Sequence, residues 1–289
     1  MKNVKSSLLS VNLWSIFSGI VLAFVVTPFN FFPYYAGFTI GLAQDLKTSV
    51  VFQFYLGLAM TFGILISITI LFENRSSLIA RNRFGMSKKS TRIFWIFMNF
   101  FGSMVVLSPV FLHLPDQEKA KIGILKNLPC PSPEFFTDPI LIMADGDFWK
   151  TYLTVTLLLI YLNLMAQILF FSACCIYYLF IFKSSQVSPQ TRKLQIQSFF
   201  GMLGQTLIPI LFDSIPTVIF LDRQGRNEYD QFNNNLMGLS IILHNGATNL
   251  SILLVQSPYR NFLKSLVFGE KKVEDNKIFN VSGDGSRRV

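Results

Sequence analysis

The sequence predicts an all-α integral membrane protein, folded as a bundle of six transmembrane helices. Hydrophobic residues make up 51% of the 289 residues and charged residues only 14%, against roughly 25% charged in an ordinary soluble domain. Too few charges are present to cover the surface of a soluble protein of this size. Six apolar stretches are also long enough to cross a hydrocarbon layer about 30 Å thick. Together these observations argue against a soluble enzyme, a disordered protein and a nucleic-acid binder.

The six apolar stretches are continuous runs without the alternation of lipid-facing strands, which favours helices over a β-barrel. They cover about 11–32, 49–72, 93–112, 148–182, 198–221 and 236–255. The first follows Lys2 and Lys5, but it is longer than the apolar run of a signal peptide and lacks a small-residue cleavage site after it. It is therefore expected to be a retained helix. Residues 1–265 are expected to form the bundle, and residues 266–289 a disordered cytoplasmic tail.

The loop at 113–148 is expected to be the largest segment between two helices. A continuous helix through it is not expected, because the loop contains several prolines, which remove backbone donors and restrict the residue before them. They are Pro115, Pro129, Pro131, Pro133 and Pro139. The segment 117–125 is compatible with a short helix, since it is free of proline and rich in Lys.

The fourth helix carries a polar stripe formed by Tyr152, Thr156, Asn163 and Gln167. The stripe is predicted to face inward, because lipid offers no hydrogen bonds. Hydrogen bonding between helices is the more frequent role of such a stripe. The alternative is a ligand pocket, for which Asn163 and Gln167 are candidate contacts.

The fifth helix contains an acid, Asp213, on its outer half and about 6 Å from its midpoint. A charge at a helix centre costs about 2.5–3.5 kcal/mol on insertion scales, so Asp213 is predicted to face the bundle interior. Helical spacing places Gln205, Pro209, Asp213 and Pro216 on one face. Asp213 and Gln205 are candidate ligand contacts, the alternative being a hydrated or protonated acid near the interface.

The last helix contains His244 near its midpoint, on a face shared with Ser240, Thr248 and Ser251. This face serves either hydrogen bonds between helices or a ligand, and His244 lies at a depth compatible with Asp213. One histidine without a second ligand at helical spacing does not predict a metal site. The sequence contains no recognisable catalytic or phosphate-binding motif, so no enzyme activity and no cofactor are expected.

The basic residues are distributed unevenly between the two sets of loops. The segments 1–10, 73–92, 183–197 and 256–289 hold 18 of the 25 Lys and Arg residues, and the remaining loops hold 7. Cytoplasmic loops carry an excess of Lys and Arg. The first set is therefore predicted to be cytoplasmic, with both termini on that side of the lipid bilayer.

Several short motifs, taken in order, resemble the nematode serpentine chemoreceptors of class H. They are Asn12-Leu13-Trp14-Ser15, Thr27-Pro28, Phe31-Phe32-Pro33, Phe72-Glu73-Asn74-Arg75, Leu128-Pro129-Cys130-Pro131, Glu134-Phe135-Phe136, Asn233-Asn234-Asn235, His244-Asn245-Gly246 and Ser257-Pro258-Tyr259-Arg260. Their order and spacing across about residues 5–265 make the resemblance strong.

The resemblance implies a seven-helix receptor that senses a small chemical and signals through a heterotrimeric G protein, in the plasma membrane of sensory neuron cilia. Within it, Glu73, Asn74 and Arg75 take the place of the acid–arginine–aromatic motif at which rhodopsin-like receptors meet the G protein. A charged helix end anchored at lipid headgroups is the alternative for these three residues. The resemblance begins at the family's second helix, so the first helix is expected to be lacking. A transporter or channel subunit and a non-signalling receptor relic remain as alternative functions.

Overall fold

The structure, a computed structural model, describes residues 2–79, 82–86, 88–128, 131, 133–181, 188–226, 228–255, 260, 261 and 265. Within these residues six long helices form the bundle. They are α1 (Lys2–Ile20, continued by a wider turn at Val21–Val26), α3 (Val50–Ser77), α4 (Lys89–Leu112), α7 (Asp147–Ile176, continued at Tyr177–Ile181), α8 (Pro189–Arg226) and α9 (Gln231–Val255). The proposed tail at 266–289, Cys130 and the side chain of Gln205 lie outside the described residues.

The short elements gather at one end of the bundle, which we name the cap end. They are β1 (Pro28–Phe31), β2 (Ala36–Thr39), α2 (Leu42–Asp45), α5 (Gln117–Leu125), α6 (Glu134–Thr137) and β3 (Leu141–Ile142). The opposite end, where α3 finishes with Glu73, Asn74 and Arg75, is named the tail end.

The first helix differs from its predicted range of 11–32, because its helical residues run from Lys2 to Val26. Thr27 takes a left-handed φ of 39°, and Pro28 has no backbone N–H to donate into a helix. The chain then turns into β1, which pairs antiparallel with β2 in the register Pro28 to Thr39 and Phe31 to Ala36. An apolar run is thus divided between a helix and a strand.

The sheet has the order β1-β2-β3, in which Gly37 of β2 pairs with Leu141 of β3. Its side chains and the outer loop share a small core of their own. The buried members are Phe31, Tyr34, Ala36, Phe38, Ala120, Ile124, Leu128, Phe135 and Ile142. The loop contains α5 over its proline-free segment. Asp116 is the N-cap of this helix, and its side chain accepts a hydrogen bond from the backbone N–H of Lys119.

α3 is the central helix, packed against α1, α4 and α7, while α8 pairs with α9 and α9 returns to α1. Nearly every residue of α3 from Phe62 to Ser76 is buried. By contrast, large apolar side chains point outward from the other helices, among them Leu13, Phe101 and Leu159. This is the arrangement of a bundle whose surroundings are lipid.

Five helices of the described residues are long and apolar enough to cross a membrane by length and composition. They cover Ser7–Val26, Val50–Ser77, Lys89–Leu112, Asp147–Ile181 and Pro189–Arg226. The sixth predicted span, α9, has 25 residues and is not among these five. Its polar side chains Asn234, His244, Asn245, Thr248 and Ser251 are buried against neighbouring helices, which spares them contact with lipid.

α8 extends beyond its predicted range of 198–221 at both ends, with 38 residues in the helix. The added residues are mostly polar, such as Gln190, Arg192 and Arg223. Polar residues of this kind support a helix as well as apolar ones do. Hydropathy detects only the part of a helix that lies in the hydrocarbon layer, so it underestimates helices that project beyond it.

Candidate functional site

Asp213 of α8 and His244 of α9 meet inside the bundle. The carboxylate Oδ1 of Asp213 lies 3.4 Å from Nδ1 of His244, and the two residues are only 7% and 1% exposed. Both the inward orientation of Asp213 and its proximity to His244 agree with the sequence prediction. Oδ2 of Asp213 and Nε2 of His244 have no hydrogen-bond partner within the described part of the chain.

A cavity of about 200 Å³ lies beside Asp213, between α3, α7, α8 and α9 and below the cap. Its wall is mainly hydrocarbon and aromatic. The apolar side chains in the wall are Phe32, Leu58, Phe62, Leu65, Leu157, Leu158, Pro216, Phe220, Leu221, Met237 and Ile241. Cavities between the helices of a bundle are a common place for small molecules to bind, which makes this cavity the candidate site.

The hydroxyl groups of the cavity wall already have partners. Thr61 donates to the Gly57 carbonyl at 3.1 Å and Thr217 to the Asp213 carbonyl at 2.7 Å. The hydroxyls of Tyr161 and Ser214 lie 2.6 Å apart. Among these groups, the free oxygen of Asp213 therefore stands out as the acceptor open to a bound molecule.

The hairpin closes the cavity at the cap end. Phe32 packs edge-on against Phe220 with ring centroids 4.9 Å apart, and Asn234 of α9 donates to the Phe32 carbonyl at 3.1 Å. The Tyr35 hydroxyl bonds to the Thr154 hydroxyl. Burial raises the pKa of Tyr35 to about 12, so this hydroxyl keeps its proton at physiological pH and stays neutral.

The predicted stripe on α7 is divided between two environments. Thr156 is buried and lies on the inner side. The Gln167 amide donates to Oδ1 of Asn99 on α4 at 2.8 Å, which makes it a contact between helices. Asn163 is exposed on the outer side of α7, so its predicted inward orientation is wrong. At 100° per residue the four side chains fall within a sector of about 60°, and Asn163 lies inside it, between Tyr152 and Thr156. Shared helical spacing therefore does not ensure that every member of the stripe is covered by a neighbouring helix.

At the tail end, Glu73, Asn74 and Arg75 are buried and each reaches a different helix. Oε2 of Glu73, a fully buried carboxylate, pairs with Nε of Arg92 on α4 at 2.7 Å, and its Oε1 accepts from Ser77 at 2.7 Å. Asn74 donates to Ser7 on α1 at 2.6 Å. Arg75 donates to the Gln195 carbonyl on α8 at 2.6 Å.

Sequence reasoning found the three tail-end residues but not their partners. Arg92, Ser7 and Gln195 are distant in sequence, and each lies on a helix whose rotation the hydropathy pattern does not give. One sequence feature could have indicated the partner of Glu73. Arg92 is a cation in the first turn of the next long helix, directly after the loop that follows Glu73.

A family model described as serpentine type 7TM GPCR chemoreceptor Srh matches residues 1–269. The chain belongs to this family of class H serpentine receptors. The resemblance predicted from the short motifs is thereby confirmed, as is the all-α membrane bundle. Serpentine receptor class H-72 of Caenorhabditis elegans is 44% identical over 274 residues, which cover 94% of this chain and 78% of that relative. No solved structure matches the chain.

As a member of this receptor family, the chain is a multi-pass membrane protein of the chemosensory, G-protein-coupled-receptor type. In this family context, the cavity beside Asp213 and the buried tail-end residues are connected by one helix. α3 contributes to the wall of the cavity and carries the tail-end residues at its other end.

Proposed function

We propose that the chain binds a small organic molecule in the cavity beside Asp213 and signals through a heterotrimeric G protein at the tail end. The observation that carries the proposal is the course of α3. This one helix presents Leu58, Thr61, Phe62 and Leu65 to the cavity and ends in the buried Glu73, Asn74 and Arg75. Small shifts of a packed helix are a recognised route from a ligand site to a distant switch.

The proposed orientation places the tail end in the cytoplasm, where a G protein acts. The loops on that side contain 18 of the 25 Lys and Arg residues, and cytoplasmic loops carry such an excess. By family, we infer that the protein resides in the plasma membrane of sensory neuron cilia. Imaging a fluorescent fusion in those neurons tests this location.

Glu73 pairs with Arg92 of α4, and Arg75 donates to the Gln195 carbonyl near the start of α8; we infer that these contacts belong to the resting state. We infer that ligand binding separates these helices and frees Arg75 to contact the G protein. No catalytic step enters this scheme. Asp213 and His244 are assigned to ligand binding, and Glu73, Asn74 and Arg75 at the tail end are assigned to coupling with the G protein.

The experiment is Glu73→Gln, with second-messenger production measured in cells without added ligand. The substitution keeps the shape of the side chain but removes the charge that binds Arg92. Hydrogen bonds to charged groups contribute about 1.5 kcal/mol or more, and about 1.4 kcal/mol is a factor of ten in an equilibrium. Basal signalling relative to surface protein is therefore expected to rise by about tenfold.

The matched control is Glu228→Gln, which breaks the exposed ion pair with Arg223 at the cap end, where N and O lie 2.9 Å apart. It is expected to leave basal signalling unchanged. Wild-type basal signalling from Glu73→Gln, at normal surface abundance, would contradict the coupling role of the tail end.

A further inference from the structure

We propose that the cavity selects a small organic ammonium ion, a compact hydrocarbon body with one protonated amine held by Asp213. The proposal rests on the proposed function, because it names the chemical class of ligand for that cavity. It rests on the volume of the cavity, on the carboxylate oxygen of Asp213 that has no partner among the described residues, and on the composition of the wall.

Asp213 is the acidic residue in the cavity wall, and only one of its carboxylate oxygens has a partner. Oδ1 lies 3.4 Å from Nδ1 of His244, while Oδ2 is fully buried and has no hydrogen-bond partner in the described residues. A polar atom without a protein partner in an apolar surrounding is costly. A ligand with a donor group at this position would remove that cost.

A cation fits this acceptor better than a neutral donor does. No Lys or Arg is among the described residues that line the cavity, so no permanently charged side chain of the wall neutralises the carboxylate, whose recorded contact is with His244. An ammonium group brings three donors and a positive charge, and charge-assisted hydrogen bonds are roughly twice as strong as neutral ones. An anionic ligand would be repelled by the same acid.

The aromatic side chains of the wall favour the same class. Phe62, Phe220 and Tyr161 line the cavity together with Asp213. The face of an aromatic ring attracts a nearby ammonium ion, more strongly in a desolvated site. The remaining wall is hydrocarbon and suits the apolar body of the molecule.

The volume limits the size of that body. The cavity measures about 200 Å³, and an apolar cavity of about 150 Å³ is known to hold benzene. The space therefore corresponds to roughly one six-membered ring with a short amine arm. Benzylamine, benzyl alcohol, toluene and benzoate form a set of nearly equal shape that differs in the polar group.

The test measures binding of these four probes to the purified full-length chain in lipid nanodiscs at pH 7, from the shift of its unfolding temperature. A primary amine is protonated there, as is lysine with a pKa of about 10.4. Benzylamine is expected to bind at least about tenfold more tightly than benzyl alcohol or toluene, and benzoate not at all. Asp213→Asn is expected to abolish the preference for the amine.

Asp222→Asn is the matched control, because Asp222 is an exposed acid on the same helix, paired with Arg226 at 3.0 Å outside the cavity wall. It should keep the preference for benzylamine. If Asp213→Asn does not fold, Gly238→Leu replaces it, since Gly238 lines the cavity and a Cβ there meets only the Pro28 carbonyl, at 3.8 Å. The larger side chain is expected to abolish binding of benzylamine.

Three results would overturn the proposal: equal binding of benzylamine and benzyl alcohol, retained amine preference in Asp213→Asn, or retained benzylamine binding in Gly238→Leu. Binding of none of the probes would also overturn the ammonium class. G-protein coupling would then still be decided by the basal signalling of Glu73→Gln, so failure of this inference and failure of the proposed function are distinguishable.

Discussion

Gly63 sets how closely α1 and α3 approach, because the Trp14 ring occupies the space of its missing side chain. A Cβ added at Gly63 would lie 2.1 Å from atoms of that ring. The indole N–H of Trp14 donates to the Met60 carbonyl, one turn away, at 3.4 Å. Small residues allow transmembrane helices to pack closely. Gly63→Ala is therefore expected to destabilise the protein by about 1–3 kcal/mol, the usual cost of overpacking, as measured by thermal unfolding in detergent.

Gly102→Ala is the control for this prediction, since no atom lies within 4 Å of a Cβ at Gly102 on α4. Alanine is favoured over glycine in a helix by about 1 kcal/mol, so this variant should be at least as stable as the wild type. Trp14→Leu combined with Gly63→Ala should recover part of the lost stability. A Gly63→Ala protein as stable as the wild type would contradict the described packing of Trp14.

The residue-level predictions succeeded where one free-energy cost dominated. Asp213 had to face inward because lipid exposure of an acid is expensive, and the structure buries it. The ion pair between Glu73 and Arg92 has a different basis. It depends on how α3 and α4 are rotated about their axes, which a hydropathy pattern does not determine. The prediction for Asn163 failed because helical spacing shows which residues share a face, but not where along the helix a neighbouring helix covers that face.

At the scale of elements, the helices were predictable and the sheet was not. A long apolar run predicts a spanning helix. By contrast, β1 and β2 have only four residues each, which is too short for a clear pattern. Phe29 and Phe31 of β1 lie within the apolar stretch 11–32 that was predicted as the first helix. The boundary between the first helix and β1 is set by the backbone geometry at Thr27 and Pro28 and by the pairing of β1 with β2. Strand pairing depends on contacts that a hydropathy pattern does not show.

The cap is expected to depend on Phe135 for its stability. This side chain is 0% exposed and packs edge-on against Phe31 with centroids 5.3 Å apart. Truncating a buried phenylalanine costs about 3–5 kcal/mol, so Phe135→Ala should open the cap locally. Proteolysis of a locally opened segment follows its open population. Trypsin cleavage after Lys121 and Lys126 should therefore accelerate strongly.

Phe136→Ala is the matched control, because this neighbour is 57% exposed and its truncation leaves no cavity. Its cleavage rate should equal that of the wild type. The unfolding temperature of the bundle should change less than the cleavage rate in Phe135→Ala, because the cap has a core of its own. Equal cleavage of the two variants would contradict the role of that core.

At the scale of the whole molecule, the bundle is organised as two ends joined by α3. The cap end has its own core and closes a cavity, and the tail end holds three helices by buried polar contacts. The two ends also differ in charge, since ten of the sixteen acids lie in the predicted outer loops and 18 of the 25 basic residues in the predicted inner ones. The uneven distribution of Lys and Arg is expected to set how the bundle is inserted.

The expected topology has both termini of this chain in the cytoplasm and the cap outside. An even number of spanning helices returns the chain to the side on which it began, and the basic loops select the cytoplasmic side. The measurement is protease access to tags at both termini in sealed vesicles whose cytoplasmic face points outward, where both tags should be digested. Glycosylation gives the second readout. Asn280 lies in an Asn-Val-Ser site on the predicted inner side and should carry no glycan.

An engineered site tests the outer side in the same way. Pro129→Ser creates Asn127-Leu128-Ser in the outer loop, and this site should be glycosylated. A protected amino-terminal tag beside a digested carboxyl-terminal tag would mean an odd number of spans, with α9 or α1 not crossing the membrane. Glycan on Asn280 without glycan on Asn127 would mean that the bundle is inserted the other way round, and the tail end could then not reach a cytoplasmic G protein.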